Sequence, residues 1–371
     1  MKISDHFDGG AIDVLQINQN SAKLNIRKDS HSDFTQWFYF RVYTDDLSIC
    51  SFELNNAGQS AYPEGWENYH PVYSYDRKHW HRITDTQYDG HSLKFNLIPK
   101  QKSFYIAYFA PYSYDRHLDL LGQAQLSEQC ELINLCQTID GRELDLLKIG
   151  SGKKVYWITA RQHPGETMAE WFVEGFIERL LNKNDPIAQK LLNEVTFYIV
   201  PNMNPDGAAR GNLRTNAAGA NLNREWLTPS KDKSPEVYAV LNYMTKIGVD
   251  LSLDIHGDEA IPYNFVAGSE GTPSYSNKRK QLEDNFKSIL LSVSQEFQVE
   301  QGYDLTPAGE ADLLKATDHI ANKFDCLAFT IEMPFKDNDH FPDLAHGWSP
   351  DRCKQFAYDV LITLSKLTKS I

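Results

Sequence analysis

The stretch that decides the fold reads Lys154-Val155-Tyr156-Trp157-Ile158-Thr159-Ala160-Arg161-Gln162-His163-Pro164-Gly165-Glu166. Its apolar first half predicts a buried strand, and the segment that follows, Met168 to Leu181, has the periodicity of a helix. His163 and Glu166 are therefore expected on a strand-to-helix loop, three residues apart. Loops of this kind, held by a rigid scaffold, are where proteins usually place functional side chains.

A second histidine follows another apolar run about ninety residues downstream. The run Val249 to Ile255 ends at His256, which is followed by a glycine. Two strand ends that converge are what an open α/β sheet offers a ligand at its carboxyl edge. Hydrolytic zinc sites use three nitrogen or oxygen ligands and leave the fourth position to water. The sequence therefore predicts His163, Glu166 and His256 as zinc ligands, although a lone His-x-x-Glu also occurs by chance.

The residues between these histidines are suited to hold a carboxylate. Asn204-Pro205-Asp206-Gly207 is followed by Arg214 and then by Asn221-Leu222-Asn223-Arg224. A guanidinium is a planar fork that grips a carboxylate with two hydrogen bonds, and it stays charged. A third apolar run ends in Phe329-Thr330-Ile331-Glu332. A buried glutamate near a metal-bound water is a candidate general base.

Together, these motifs resemble the zinc metallocarboxypeptidases of the carboxypeptidase A-like superfamily. The chain is most similar to their cytosolic carboxypeptidase branch, whose better-known members trim glutamates from protein tails. The order and spacing of the motifs agree from Gln162 to Pro334. The resemblance implies a catalytic Zn²⁺ held by His163, Glu166 and His256.

The resemblance also implies the roles of the other site residues. Arg214 matches the arginine that polarises the scissile carbonyl, and Glu332 matches the general base. Asn223 and Arg224 match the pair that holds the terminal carboxylate of the substrate. The family often carries a tyrosine upstream of the base that covers the bound substrate. Tyr303 is the nearest candidate, but its spacing is longer than in the digestive enzymes, so that role stays unassigned.

The N-terminal third resembles the β-rich domain that precedes the catalytic domain in the cytosolic branch. The matching stretches are Gln36-Trp37-Phe38-Tyr39-Phe40-Arg41, Tyr69-His70-Pro71-Val72, Trp80-His81-Arg82-Ile83 and Pro111-Tyr112-Ser113-Tyr114. Short runs of alternating polarity, separated by turn residues, also predict an all-β sandwich over residues 1–115. Strand and helix patterns then alternate. This alternation predicts an α/β catalytic domain over residues 116–371, with a mixed sheet flanked by helices.

Several single elements can be predicted within the second region. A strand is expected over Val195 to Pro201. Helical patterns cover Leu118 to Cys130, Asp185 to Asn193, Pro235 to Lys246, Lys278 to Phe297 and Arg352 to Leu367. Asp254 precedes His256 by two residues and would point to the same side of a strand. It is either a hydrogen-bond partner of the zinc-bound histidine or a capped turn residue.

Composition excludes several classes of function. The 371 residues are enough for about two domains, and their net charge of -13 without a basic stripe argues against a nucleic-acid partner. No apolar run reaches the roughly twenty residues of a membrane span. Residues 1–10 lack the apolar core of a signal peptide. The five cysteines have no regular spacing, so reduced thiols are expected. These features predict a cytoplasmic protein and indicate nothing about its oligomeric state.

The expected function is zinc-dependent hydrolysis of the C-terminal peptide bond of a peptide or protein tail. A preference for acidic (glutamate) C-terminal residues is expected from the resemblance, with Lys315 as the candidate counter-charge in the side-chain pocket. The net charge of -13 works against that preference, and Lys315 reads equally well as a surface residue. Two alternatives stay open. One is a zinc amidohydrolase on the same fold acting on cell-wall peptides or N-acyl amino acids, and the other is a non-catalytic binding protein.

Overall fold

The computed structural model describes all 371 residues, and its N-terminal region contains two five-stranded sheets. The first sheet contains, in spatial order, β1 (Lys2–Ser4), β4 (Tyr39–Tyr43), β10 (Ser103–Ala107), β6 (Val72–Ser74) and β7 (His81–Arg82). The second contains β2 (Asp13–Ile17), β3 (Ser21–Asn25), β5 (Cys50–Leu54), β9 (Leu93–Leu97) and β8 (Thr86–Tyr88). Neighbouring strands are antiparallel except for β3 and β5, which are parallel.

The two sheets pack face to face through aromatic side chains. In β5, buried and half-buried residues alternate, as expected for a strand with one face on the core. The ring of Phe52 on β5 lies 6.0 Å from Phe40 on β4 and 6.5 Å from Phe104 on β10, centroid to centroid. These contacts join one sheet to the other, so the predicted sandwich is confirmed.

A seven-stranded mixed sheet forms the centre of the second region, as predicted. Its strands, in spatial order, are β11 (Cys130–Gln137), β12 (Glu143–Ile149), β14 (Val195–Val200), β13 (Lys154–Ala160), β15 (Leu251–Asp258), β17 (Leu327–Pro334) and β16 (Phe265–Ala267). The four strands from β14 to β17 are mutually parallel. The strands at both edges run antiparallel to their neighbours.

Helices cover both faces of this sheet. They are α1 (Tyr114–Ala124), α2 (Met168–Leu180), α3 (Pro186–Glu194), α4 (Pro205–Arg210), α5 (Pro235–Ile247), α6 (Asn277–Val293), α7 (Ala316–Phe324) and α8 (Pro350–Leu367). Short 3₁₀ turns occur at Ala57–Gln59, Pro63–Trp66 and Leu222–Arg224. Along β13, Tyr156 and Ile158 enter the larger core beneath α2 and α8, whereas Trp157 enters a smaller core beneath α5 and α7. The central strands are therefore buried on both faces, which explains their continuous apolar runs. No helix combines the length and the apolar character that crossing a membrane requires.

Two of the predicted helix ends are wrong. The helix expected to reach Cys130 ends at Ala124, and Cys130 begins β11 instead. The β11–β12 hairpin escaped prediction because β11 is an edge strand whose residues are all exposed or half-buried, so it lacks a clean alternation of polarity. The helix expected to reach Phe297 ends at Val293, and Phe297 packs into the core beyond it.

The two regions share one core and are joined by a buried arginine. The ring of Tyr108 stacks on Phe335 at 4.5 Å. Arg82 donates hydrogen bonds to five backbone carbonyls, of which Phe335, Lys336, His346 and Trp348 belong to the second region. Helix α1 runs across the boundary expected at residue 115, so that boundary stays a prediction.

Candidate metal centre and substrate cavity

The predicted site residues gather at the carboxyl edge of the parallel strands. The chain passes from β13 to β14 on one side and then crosses back to β15 on the other side of β13. Such a change of direction leaves a crevice between neighbouring strand ends, where open α/β sheets bind ligands. His163 and Glu166 lie in the loop between β13 and α2, while His256 lies near the end of β15.

The loop that carries the first two residues begins with a strained residue. Arg161 has a φ of 58°, in the left-handed region that non-glycine residues seldom adopt. Its buried side chain donates to Pro164 O (2.9 Å), Tyr112 O (2.9 Å) and Glu170 Oε2 (2.6 Å). Such a conformation persists where the surroundings over-determine it, and these positions cluster at functional sites.

Two imidazoles and one carboxylate converge within this crevice. Glu166 Oε1 lies 2.5 Å from His163 Nδ1, and Glu166 Oε2 lies 2.8 Å from His256 Nδ1. Donor atoms of the three residues all lie within 4.8 Å of one another, and all three residues are buried. The predicted ligand set is thus assembled with the Nδ1 atom of both rings facing inward.

The outward ring nitrogens are held by acceptors. His163 Nε2 donates to Asn221 Oδ1 at 3.1 Å, and His256 Nε2 donates to Asp254 Oδ2 at 2.8 Å. In a neutral imidazole, donation from Nε2 leaves the lone pair on Nδ1, which is the tautomer that a metal requires at that atom. Of the two interpretations of Asp254, the structure supports the one in which it is a hydrogen-bond partner of His256.

Burial and charge favour a cation at the convergence point. Burial and then repulsion from Arg214 lower the pKa of His163 to about 4, so this imidazole is neutral and can act as a ligand. Although burial opposes it, contact with the two imidazoles holds the pKa of Glu166 below its ordinary range. Burial lowers the pKa of His256, but the charges of Asp254 and Glu166 outweigh burial and raise that pKa well above its ordinary value, so a divalent ion such as Zn²⁺ would displace the proton of this ring on binding. The residues present therefore fit the implied metal.

Gly257 allows the backbone to approach Glu166. Its N–H donates to Glu166 Oε2 at 3.1 Å. A Cβ at this position would lie 2.4 Å from the sulfur of Met168, the first residue of α2. A larger residue at position 257 would therefore displace the Met168 side chain where β15 passes the start of α2.

Arg214 points its guanidinium at the metal-ligand cluster without a close partner. Arg214 Nη1 lies 3.9 Å from Glu166 Oε1, and the side chain is 14% exposed. The rings of Phe34 and Tyr62, both from the N-terminal region, lie 5.6 and 5.4 Å from the guanidinium carbon. Its N–H groups are thus available to an oxygen beside the cluster.

Asn223 and Arg224 line the same cavity. The amide of Asn223 accepts from Ala316 N at 2.8 Å, which anchors it to the start of α7. Arg224 Nη1 donates to Asn223 O at 2.7 Å, and Arg224 Nε lies 3.7 Å from Asp312. Burial and then repulsion from Arg214 lower the pKa of Arg224. A substrate carboxylate between the two arginines would relieve that repulsion.

Glu332 is buried, and one of its oxygens lacks a partner. Its Oε1 lies 3.1 Å from Tyr303 Oη, while Oε2 is without any hydrogen-bond partner. Burial raises the pKa of Glu332 well above its ordinary value; the neighbouring His256 opposes the shift and Glu166 adds to it. A divalent cation at the cluster would lower that pKa again. The Tyr303 hydroxyl also lies 2.8 Å from Asp258 Oδ2, so this tyrosine packs against the predicted base while half of its surface stays exposed.

These residues line one cavity of about 770 Å³. Nine carboxylate side chains and four basic ones line it. The acidic residues are Glu64, Glu166, Asp258, Glu259, Glu270, Glu300, Asp304, Asp318 and Glu332, and the basic ones are Arg214, Arg224, Lys287 and Lys315. Lys315 precedes α7 and is exposed. Its neighbour Asp318 is half-buried, and burial raises the pKa of that carboxyl to about 6.

Sequence reasoning missed several residues of the site. Asn221 lies two residues before Asn223 in the same motif, so that motif contained a signal for a second amide. Glu259 follows His256 by three residues and is buried with one oxygen unpartnered. Tyr62 reaches the cavity from a segment about a hundred residues upstream of the first ligand. Nothing in the local sequence around Tyr62 indicates that contact.

Two family models match the chain. Residues 3–109 match the cytosolic carboxypeptidase N-terminal domain, and residues 116–351 match zinc carboxypeptidase. Among curated relatives, the cytosolic carboxypeptidase 6 of Caenorhabditis elegans is 30% identical over 257 residues, which cover 65% of this chain. The chain spans about half of that relative's length (55%).

Solved structures match over the whole chain. A metallo-carboxypeptidase from Burkholderia cenocepacia is 44% identical, with a TM-score of 0.98 and full coverage of both chains. A metallo-carboxypeptidase from Pseudomonas aeruginosa, in complex with (2-guanidinoethylmercapto)succinic acid, is 45% identical, with a TM-score of 0.97 and full coverage of both chains. With the folded domains and the assembled His-Glu-His cluster, these matches show that the chain belongs to the zinc carboxypeptidase family and is a metallocarboxypeptidase preceded by the N-terminal domain of the cytosolic branch.

Proposed function

We propose that this enzyme uses zinc to hydrolyse the C-terminal peptide bond of peptides or protein tails. The observation that carries the proposal is a single cavity containing the His-Glu-His cluster, two guanidinium groups and a buried, unpartnered Glu332 oxygen. His163, Glu166 and His256 would hold the zinc ion. When bound, zinc would supply Lewis-acid activation of the attacking water and the scissile carbonyl.

The chain's own groups carry the proton and the developing charge. Glu332 Oε2 takes a proton from the attacking water and later delivers it to the leaving amine. The free N–H groups of Arg214 donate to the carbonyl oxygen as it gains negative charge. Donors preorganised in a site shielded from water are usually the largest electrostatic contribution to such catalysis.

Arg224 and Asn223 make the enzyme an exopeptidase in this proposal. Arg224 is 38% exposed at its side chain and faces Asp312 only at 3.7 Å, so it can turn to a free substrate carboxylate. The succinic acid ligand of the Pseudomonas aeruginosa relative carries two carboxylates and a guanidinium. A ligand of that chemistry supports a carboxylate-gripping site in the relative and, by similarity, in this chain.

The two alternative functions are less well supported. A zinc amidohydrolase would not require the N-terminal domain, which here contributes Tyr62 and Glu64 to the cavity wall. A non-catalytic binding protein would have no use for the buried Glu332 beside the ligand cluster. We also propose a cytoplasmic location without nucleic-acid partners. It is supported by relatives named cytosolic and by the net charge of -13.

We propose only a small preference for acidic C-terminal residues. A strong preference needs a partly buried counter-charge, and Lys315 is exposed. The cavity also carries nine acidic against four basic side chains. Exposed ion pairs contribute about 0.2–1 kcal/mol. Lys315 can therefore favour a C-terminal glutamate by about fivefold at most.

Replacing a ligand tests the metal assignment. His256→Ala should lose most of the bound zinc, because only one nitrogen and one carboxylate ligand remain. Metal content per chain after dialysis measures this directly. His91→Ala, a histidine on the surface, is the matched control and should retain full zinc. Full occupancy in His256→Ala would remove this residue from the ligand set.

Removing the proton acceptor separates chemistry from binding. Glu332→Gln keeps the shape of the side chain but cannot accept a proton, so kcat should fall at least ~10²-fold while zinc content is unchanged. Single-turnover hydrolysis and metal analysis of the same sample give both values. Glu131→Gln, on the exposed edge strand β11, is the control. Near-normal turnover by Glu332→Gln would exclude it as the base.

Truncating the carboxylate grip should raise KM. A hydrogen bond to a charged group contributes about 1.5–3 kcal/mol, so Arg224→Ala should raise KM roughly 10- to 150-fold. Amidating the C-terminus of a peptide substrate should have a similar effect on wild-type enzyme. Arg210→Ala, which removes an ion pair with Asp140 and a long hydrogen bond to Ala217 O outside the cavity, serves as control. Equal cleavage of free and amidated peptides would contradict an exopeptidase.

The specificity prediction compares peptides that differ only in their last residue. The ratio of kcat/KM for C-terminal Glu over Leu should be below about fivefold in wild type. It should fall toward one in Lys315→Met and in high salt, since salt screens exposed charges. Lys323→Met, near the end of the same helix, is the control. A large Glu preference that resists both salt and Lys315→Met would place the discriminating group elsewhere.

A further inference from the structure

One carboxylate from the N-terminal region binds the loop that carries Arg214. Asp29 is 6% exposed and accepts three consecutive backbone N–H groups. The distances from Asp29 oxygens are 2.5 Å to Leu213 N, 2.8 Å to Arg214 N and 2.9 Å to Thr215 N. The hydroxyl of Thr215 is a fourth donor, at 3.0 Å. These contacts join residues more than 180 positions apart in the chain.

The donor pattern fits an ionised carboxylate. Burial raises the pKa of Asp29, and the backbone donors from residues 213–215 oppose that shift. All four neighbours donate and none accepts, so a protonated Asp29 would have no place for its proton. The backbone of Arg214 is therefore fixed by charge-assisted hydrogen bonds, which are stronger than neutral ones.

The same N-terminal segment also contacts the guanidinium. Asp29 N donates to Phe34 O at 2.8 Å, which closes residues 29–34 into a compact loop. The Phe34 ring lies 5.6 Å from the guanidinium carbon of Arg214. Ser30 N and Oγ donate to Asn212 Oδ1 at 3.0 and 3.2 Å. The backbone of His31 lies so close to Gly219 that a Cβ there would be 2.3 Å from the His31 carbonyl oxygen.

The guanidinium itself is left free for catalysis. Its nearest carboxylate, Glu166, is 3.9 Å away. We infer that its direction depends on where the backbone is held and on the neighbouring rings of Phe34 and Tyr62, because no side-chain acceptor binds it. A group that must meet a developing oxyanion gains from such preorganisation, since its donors stay unsatisfied until substrate arrives.

We propose that the segment Asp29–Phe34 of the N-terminal region is a positioning element for Arg214, with Asp29 holding its backbone and Phe34 flanking its guanidinium. The inference rests on the proposed function, because it takes Arg214 to stabilise the scissile carbonyl. It gives the N-terminal region a part in turnover that is separate from its contribution to folding.

The test is Asp29→Asn in the full-length, zinc-loaded enzyme. The amide keeps the size of the side chain but turns one acceptor into a donor that faces the loop N–H groups. Because a misplacement of about 1 Å can reduce turnover ~10²-fold, kcat should fall ~10- to 100-fold. KM should change less than about twofold, because Arg224 and Asn223 still hold the carboxylate. Zinc content should be unchanged.

Two control variants separate positioning from general stability. Asp33→Asn removes an exposed carboxylate from the same segment and should behave as wild type. Leu93→Ala empties part of the sandwich core and should lower the thermal midpoint without lowering kcat at a temperature well below it. If Leu93→Ala reduces kcat as much as Asp29→Asn at matched stability, the effect is structural and the proposal is overturned.

A double variant and an exchange measurement complete the design. In an Arg214→Ala background, adding Asp29→Asn should lower kcat by less than about twofold, because residues acting through one group are not additive. Amide hydrogen exchange should accelerate in the peptide containing residues 213–215 in Asp29→Asn. Phe34→Leu keeps an apolar side chain and should also lower kcat while changing KM little. This variant provides a second test if Asp29→Asn does not fold.

The outcomes separate failure of the positioning role of Asp29–Phe34 from failure of the proposed function. If Arg214→Ala alone leaves kcat unchanged, the proposed role of Arg214 fails and the positioning inference fails with it. If Arg214→Ala lowers kcat but Asp29→Asn and Phe34→Leu do not, the proposed function stands and the inference is wrong. Full additivity in the double variant also overturns it.

Discussion

The parallel register of β15 and β17 is the constraint on which the site depends. In that register His256 lies opposite Glu332, and Asp254 lies opposite Thr330. Residues paired across neighbouring strands project from the same face, so a metal ligand and the proposed base are adjacent by construction. β13 on the other side of β15 then delivers His163 and Glu166 through its following loop. A shift of one residue in either pairing would turn His256 away from the cluster.

This geometry buries several carboxylates close together, and their negative charge must be compensated by positive charge or hydrogen bonds. Glu166, Asp254, Glu259 and Glu332 are all buried within the site or beside it. Burying a carboxylate without a partner costs several kcal/mol, and one oxygen of Glu259 and one of Glu332 lack hydrogen bonds. A divalent cation at the His-Glu-His cluster would neutralise part of that charge. The site is thus suited to a bound metal, and the unpartnered Glu332 oxygen is the group that we propose as the base.

Some of this could be predicted from sequence, because the chemistry lies in short motifs at the ends of apolar runs. His163 and Glu166 are three residues apart, and Asp254 and His256 are two apart on one strand, so local geometry already brings each pair together. The succession of an all-β region and an α/β region also follows from strand and helix periodicity. What could not be predicted was of two kinds. The exposed edge strand β11 has no buried face to give it a periodic pattern. The exposure of Lys315 depends on the path of a long loop, which no local pattern encodes.

The contacts of the N-terminal region were beyond prediction for a different reason. Asp29, Phe34 and Tyr62 contact Arg214 across a large separation in sequence, and their own neighbours in the chain show nothing unusual. The family resemblance identifies Arg214 but not the residues that contact its backbone and its guanidinium.

The charge of the cavity explains why Arg214 needs to be held in place by the N-terminal region. Acidic side chains outnumber basic ones in the cavity wall, nine to four, and the whole chain carries a net charge of -13. Long-range steering therefore does not attract an anionic peptide terminus to this site. In the function that we propose, attraction comes from the short-range positive charge of Arg214, Arg224 and a bound metal, which is effective only if the geometry of these groups is fixed. Rigid placement of Arg214 by a second domain is consistent with a site that binds anions against the surrounding field.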